Sequence, residues 1–171
     1  MSGHGDKPKR SKISAGVLMY RRKSGKMEVF LVHPGGPFWA KKDEGAWTIP
    51  KGECADGEDL QPAALRELKE ETGIEPTGEL RPLGSVKQKG GKVVHAWAFE
   101  GDYDASQPVR SNTFTMEWPP RSGRQQEFPE IDRAAWFDLE TAKKKLNPVQ
   151  VEFVERLKSV VPSAVCCNQT A

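Results

Sequence analysis

Between Asp59 and Gly73 the chain reads DLQPAALRELKEETG, and no other stretch limits the fold as much. Most of these residues are strong helix formers, Pro62 falls in the first turn, and Gly73 stands directly after the end. The spacing predicts a helix over Asp59–Thr72. At about 100° per residue, Glu67, Glu70 and Glu71 share an arc of roughly 100° on one face. A solvated helix face usually mixes signs, and an unpaired Glu67–Glu71 contact at i,i+4 costs about 0.2–0.5 kcal/mol. Arg66 reaches Glu70 at i,i+4 and can align one carboxylate, but it cannot neutralise three. A hard divalent cation such as Mg²⁺, which takes carboxylate oxygens together with water and phosphate, suits this cluster. Zinc, which prefers His and Cys, does not.

Around this helix the chain reads as one domain with tails. Its 171 residues suffice for a single core, and 36% hydrophobic content argues against wholesale disorder despite 29% charged residues. Residues 1–12, MSGHGDKPKRSK, read as a disordered basic arm, 13–160 as the folded domain, and 161–171 as a flexible tail. Strands are expected over 13–20 and 27–33, joined at Ser24-Gly25, and near 83–88, 92–101 and 134–139. A short strand is expected at Trp47–Ile49 after the Pro- and Gly-rich loop PGGPFWAKKDEG. Helices are expected over 139–146 and 149–161, the second carrying an apolar stripe at 153, 154, 157, 160 and 161. The region 102–128 reads as a long insertion. Strands interleaved with helices give an α+β fold, an α/β/α sandwich in which helices flank a mixed, curved sheet.

Charge and cysteine content narrow the setting. A net charge of +2 supplies no global field for nucleic acid or an anionic membrane, so the partner expected is a small nucleotide or polyphosphate. No apolar run approaches a membrane span, and the N-terminal stretch has no signal-like segment; the chain is expected in the cytoplasm, as a monomer or homodimer. The three cysteines, Cys54, Cys166 and Cys167, form no even disulfide framework and no zinc site.

From Gly52 onward the chain runs Gly52, five residues, Glu58, seven residues, then Arg66-Glu67-Leu68-Lys69-Glu70-Glu71-Thr72-Gly73-Ile74. This resembles the Nudix box at every fixed position, including the aliphatic Leu68 and Ile74. The lead-in Trp47-Thr48-Ile49-Pro50-Lys51-Gly52 is similar to that of diadenosine polyphosphate and diphosphoinositol polyphosphate hydrolases of this family. The resemblance implies a metal-dependent hydrolase of diphosphate linkages using Mg²⁺ or Mn²⁺. By the same resemblance Glu67, Glu70 and Glu71 are metal ligands, Glu67 alternatively the general base, and the Lys51 carbonyl a further ligand. Arg66 would orient a glutamate and Glu58 would buttress the loop and helix. A downstream glutamate about six residues before a tryptophan often completes the metal site; Glu130, six before Trp136, is the first choice and Glu127 the second.

The box names a reaction and leaves the substrate open. Lys41, Lys42, Lys87, Lys89, Lys92, Arg110, Arg121 and Arg124 are candidates to grip a polyphosphate, or are ordinary solvated charge. Trp39, Trp47 and Trp118 lie outside apolar runs and are candidates for stacking, with core packing equally open for Trp47. Trp97 and Trp136 read as core. His95 reads as a structural strand histidine or a phosphate ligand. Subgroup markers are missing: Gly91 and Lys92 stand where asymmetric dinucleoside tetraphosphate hydrolases often carry tyrosine, and Lys89 where ADP-ribose hydrolases often carry proline. A dinucleoside polyphosphate such as diadenosine tetraphosphate is the expected substrate. The alternatives are a nucleoside triphosphate pyrophosphohydrolase that removes damaged nucleotides, or a non-catalytic ligand-sensing or RNA-binding module.

Overall fold

The computed structural model describes residues 12–106 and 111–161. Most of the basic arm, the tail after Val161 with Cys166 and Cys167, and Arg110 lie outside the described residues. The element order is β1 (Ile13–Lys23), β2 (Lys26–Pro34), β3 (Lys51–Glu53), α1 (Leu60–Thr72), β4 (Arg81–Lys87), β5 (Val93–Glu100), β6 (Thr113–Glu117), β7 (Gln125–Pro129), β8 (Ile131–Asp138), α2 (Leu139–Lys145) and α3 (Val151–Val160). The main sheet runs β4-β5-β1-β2-β8, with β3 also paired to β1. It is mixed, because β1 pairs antiparallel with β2 and parallel with β5.

Alternation along the central strands sends side chains to two cores, as a period of two requires. Ala15, Val17 and Met19 of β1 join Phe30 and Val32 of β2 against Ala63, Ala64 and Leu68 of α1. Leu18 and Tyr20 join Val29 and Leu31 against Ala142 of α2 and Phe153, Val154 and Leu157 of α3. Both faces of the sheet are thereby covered, which is the sandwich expected from the sequence. The apolar stripe of α3 is the one read from its period of 3.6. Among the described residues no helix is long and apolar enough to cross a membrane.

Four expectations need correction. Trp47–Ile49 is not a strand: Thr48 and Trp47 make only isolated bridges, to Val32 and Leu146, and the strand forms after Pro50, over Lys51–Glu53. Proline has no N–H for a ladder, and β3 forms where the N–H groups resume. The insertion 102–128 contains β6, whose partner β7 continues to Pro129, as a two-stranded sheet. β8 begins at Ile131, three residues before the expected Ala134, so Glu130 alone separates it from β7. The final helix is preceded by a 3₁₀ turn over Pro148–Gln150, so α3 itself begins at Val151.

Candidate active site

The helix that carries the glutamates is stopped by Gly73, which takes the left-handed conformation at φ 78° and donates its N–H to the Lys69 carbonyl. Asp59 occupies the N-cap position without a side-chain cap bond. One face of α1 is fixed against the sheet by Ala63, Ala64 and Leu68, which leaves the Glu67 and Glu71 side over β3. There the Lys51 N–H donates to Glu71 Oε2 at 3.0 Å. Gly52 comes so close to Glu67 that any Cβ at position 52 would overlap the Glu67 carboxyl group.

Arg66 organises the outer side of the cluster. Its Nε and Nη2 reach the two Glu58 oxygens at 3.0 and 3.2 Å, a two-point pairing of the kind a planar guanidinium favours. Glu58 also accepts from the Ala55 N–H at 2.8 Å, tying the loop before α1 to the helix. Nη1 meets Glu67 Oε1 at 2.9 Å and Glu70 Oε2 at 3.3 Å. One cation therefore touches three carboxylates, while Glu71, farther in, has the Lys51 side chain as its nearby charge.

The electrostatics follow from this crowding. Burial, helped by the charge of Glu67 and also of Glu130, pushes the Glu71 carboxyl up to about 8, against the opposing pull of Lys51. Burial also raises Glu67; Arg66 works the other way, and Glu70 and Glu130 add to the rise. Burial lowers the Lys51 ammonium, with Glu71 resisting. Glu130, on the joint between β7 and β8, thus faces the two inner glutamates closely enough for its charge to act on both. Glu127 lies on β7, opposite Thr115.

Among the described residues no three His, Cys, Asp or Glu side chains are already gathered at metal-ligand spacing. The donor set nevertheless fits a hard divalent cation. Glu67, Glu70, Glu71 and Glu130 offer oxygen ligands and an excess of negative charge over Arg66 and Lys51, and burial together with the neighbouring charges raises the two inner carboxyls, Glu67 and Glu71.

The other expected binders are scattered. Trp39 is 39% exposed on the β2–β3 loop with the Lys42 ammonium 4.9 Å from its ring centroid. Trp47 is core, its indole N–H donating to Asp43. Trp136 is half-buried on the α1 side, its indole N–H donating to the Tyr103 carbonyl, and Trp97 lies on that side too. His95 follows the alternation of β5 onto the face of Trp97 and Phe99, the α1 side, and is half-buried. Lys92 pairs with Glu53 at 3.3 Å, next to the box. Lys87 is exposed at the end of β4, and Lys89 lines a cavity of about 340 Å³ with Gln88, Asn147, Pro148 and Val149. Val149 packs in the α3-side core, so Lys89 stands away from the glutamates. Arg124 is exposed where the β6–β7 turn closes, its carbonyl accepting from the Trp118 N–H.

Sequence reasoning missed His33. It is fully buried, with Nδ1 2.7 Å from Asp132 Oδ1 and Nε2 2.7 Å from the Lys42 carbonyl oxygen. Its signal was available, since alternation from Val29 and Leu31 aims it inward. Phe38, 60% exposed beside Trp39, was also passed over.

A family profile described as NUDIX domain matches residues 10–157. The chain is 64% identical over 33 residues to an RNA pyrophosphohydrolase of Novosphingobium aromaticivorans, a match covering 19% of this chain and 20% of that one. It is 45% identical over 79 residues to the asymmetrical bis(5'-nucleosyl)-tetraphosphatase of Rattus norvegicus, covering 42% of this chain and 54% of that one. The chain therefore spans at most about half the length of these two relatives. Among solved structures, the C. elegans Ap4A hydrolase binary complex superposes with a TM-score of 0.59 at 24% identity, covering 85% of this chain and 96% of that one.

Proposed function

The chain belongs to the NUDIX domain family, and from that premise we propose that it hydrolyses a diphosphate linkage in a nucleoside diphosphate-linked compound, with a dinucleoside polyphosphate such as diadenosine tetraphosphate as substrate. The observation that carries this reading is the clustering of the carboxylates: Glu71 is held by the Lys51 N–H, Glu67 lies directly against Gly52, and Arg66 ties Glu58, Glu67 and Glu70 together, with burial raising both inner carboxyls, an anionic arrangement that its surroundings disfavour until cations arrive. The likeness of residues here to the rat tetraphosphatase supports the choice of substrate.

Glu67, Glu70, Glu71, Glu130 and the Lys51 carbonyl are the residues to hold Mg²⁺ or Mn²⁺. Such ions, when bound, neutralise phosphate charge and lower the pKa of an attacking water. The chain's own contribution is to aim and tune its carboxylates. Arg66 fixes Glu67 Oε1, and burial makes Glu67 a stronger base than a solvated glutamate, suited to take the proton of the attacking water. Glu58 locks Arg66, so the orientation of Glu67 is set two contacts away from the reacting phosphate. The Lys51 N–H fixes Glu71. Bare Gly52 leaves the Glu67 carboxylate room above the backbone.

A second reading draws on the short, close match to an RNA pyrophosphohydrolase, namely release of pyrophosphate from RNA. One experiment separates the two. The chain is incubated with Mg²⁺ and either diadenosine tetraphosphate or 5'-triphosphorylated RNA, with and without excess chelator, and products are resolved by chromatography. Nucleotide products from the first substrate, abolished by chelator, are expected. Pyrophosphate from RNA alone would favour the second reading, and turnover undiminished in chelator would reject both.

A further inference from the structure

His33 and Asp132 meet at a break in the sheet. From Glu28 opposite Asp138 to His33 opposite Arg133, β2 and β8 pair in one register, but Pro34 stands opposite Ile131. Asp132 is therefore an extra residue, a β-bulge, which bends a strand and re-aims its side chains. The neighbours show the change of direction. Ala134, Trp136 and the odd-numbered Ile131 all lie in the core on the α1 side, while Ala135 and Phe137 lie in the other core. Had the register continued, Glu130 would stand opposite Gly36. The bulge sets it opposite Gly35, whose N–H donates to the Glu130 carbonyl, a shift along β2 of one residue or about 3.3 Å.

The extra residue of a bulge has no ladder partner, and here a buried side chain takes hold of it. A carbonyl can only accept, so His33 Nε2–H donates to the Lys42 carbonyl at 2.7 Å, and Nδ1 lies 2.7 Å from Asp132 Oδ1. The Trp47 ring meets the imidazole edge to face, with centroids 5.2 Å apart, and further limits its orientation. Val29 and Leu31 fill the same face of β2 with aliphatic groups, and packing alone would ask no more of residue 33. The joint before the bulge is tied as well. The Glu130 N–H donates to the Asn112 carbonyl at 2.8 Å, and the Ser111 hydroxyl bonds both the N–H and the carbonyl of Ile131 at 3.2 Å. The backbone of 130–132 is thus fixed from both sides, while the Glu130 side chain is exposed and its charge acts on Glu67 and Glu71.

We infer that His33 is a positioning residue for Glu130: by gripping Asp132 it holds the bulge that keeps the carboxylate of the β7–β8 joint facing the two inner glutamates, where it completes the metal site. This rests on the hydrolase reading above, with Glu130 as one of its metal ligands. With both ring nitrogens engaged, His33 touches no reacting group and acts through Asp132 and the backbone between 130 and 132. Partners of this kind, one step removed from a ligand, set its direction and are felt in metal affinity and turnover.

Amide side chains separate the two ends of the imidazole, since glutamine reaches as far as Nε2 and asparagine as far as Nδ1. The test uses the full chain as wild type, His33→Gln, His33→Asn and Asp132→Ala, each also combined with Glu130→Gln. Calorimetry measures Mg²⁺ and Mn²⁺ binding, and steady-state kinetics give kcat and KM for diadenosine tetraphosphate. His33→Gln keeps the Lys42 bond and loses Asp132, so metal affinity and kcat are expected to fall by on the order of tenfold at nearly constant KM. Asp132→Ala, at an exposed residue outside the core, should do the same. His33→Asn keeps the contact to Asp132 and should stay within about threefold of wild type, although its Tm falls as in His33→Gln. In the Glu130→Gln background none of the three should cost more than about a further twofold, because residues that act through one another are not additive. A histidine that only supports the fold would lower Tm and show no such pattern. The inference is overturned if Asp132→Ala binds metal and turns over as wild type does, if His33→Asn loses as much as His33→Gln, or if the losses multiply with that of Glu130→Gln. The expected pattern of metal affinity in a chain that splits no diphosphate would sustain the positioning role and reject the hydrolase reading; metal-dependent hydrolysis with multiplying losses would do the reverse.

Discussion

The backbone N–H of Lys51 donates to Glu71 Oε2 at 3.0 Å, so the carboxyl group that burial disfavours most is pinned beside Gly52, the first residue of the box. An amide donor favours the charged form, but burial and Glu67 outweigh it and leave the group near 8.

That balance predicts an unusual stability profile for Glu71→Gln, which keeps size and an acceptor while losing the charge. Without metal, the folded protein retains at Glu71 a proton that the unfolded chain releases above about 4.5, so stability falls as pH rises from there towards 8. The variant is free of this loss. Its Tm in chelator should exceed wild type by about 4 °C or more at pH 8 and match it at pH 4. Its activity should fall by on the order of 10²-fold. Thermal melts at both pH values check this, and equal Tm at pH 8 would count against a buried, protonated Glu71.

Proton and cation compete for the same oxygens. Apparent Mg²⁺ or Mn²⁺ affinity should therefore weaken by up to about tenfold for each pH unit below 8, the value to which Glu71 is raised, and level off above it. Calorimetric titrations at pH 6.5, 7.5 and 8.5 read this directly. An affinity independent of pH over that range would remove Glu71 from the ligand set.

Glu130 and Glu127 are three residues apart but sit differently. Glu127 lies in the ladder opposite Thr115, whereas Glu130 occupies the joint between two strands and its charge reaches Glu67 and Glu71. Glu130→Gln should lower kcat or metal affinity by on the order of tenfold or more, with Tm nearly unchanged because the side chain is exposed. Glu127→Gln should do much less. The same loss in both variants, or in neither, would end the distinction.

Gly52→Ala tests the close approach of backbone and carboxylate. Its methyl group would overlap the Glu67 carboxyl, which must swing away and leave Arg66. Activity should drop by on the order of 10²-fold while the far-UV circular dichroism spectrum is kept, because displacement of a reacting group by about 1 Å costs that much. Wild-type turnover would show that Glu67 is not needed in its present position.

The sheet, the two helical layers and the box were legible because their signals are local: period-two alternation in β1 and β2, the stripe of α3, and the spacing from Gly52 to Ile74. Glu130 was legible only through a family spacing, and its reason for being there, a one-residue joint fixed by Gly35, is a contact between distant segments. The β6–β7 hairpin was hidden because its strands are short and polar, with Phe114, Met116 and Phe128 half-buried against little else. His33 and Lys42 are partners that no linear pattern connects. The division of the lysines between the two sides of the sheet likewise depends on how the Gln88–Lys92 turn folds toward Asn147.

The parallel pairing of β1 with β5, from Ile13 opposite Val93 to Tyr20 opposite Glu100, carries a consequence for synthesis on the ribosome. β1 meets β2 at once, but its other long neighbour arrives only after the entire box has been translated. Until then one edge of the most deeply buried strand is open, and non-local closure of this kind is intrinsically slow. The acidic helix consequently emerges before the platform on which it docks is complete. A nascent chain paused before Val93 should bind chaperones and resist compaction, and should fold cooperatively only once β5, β8 and the two C-terminal helices have all followed.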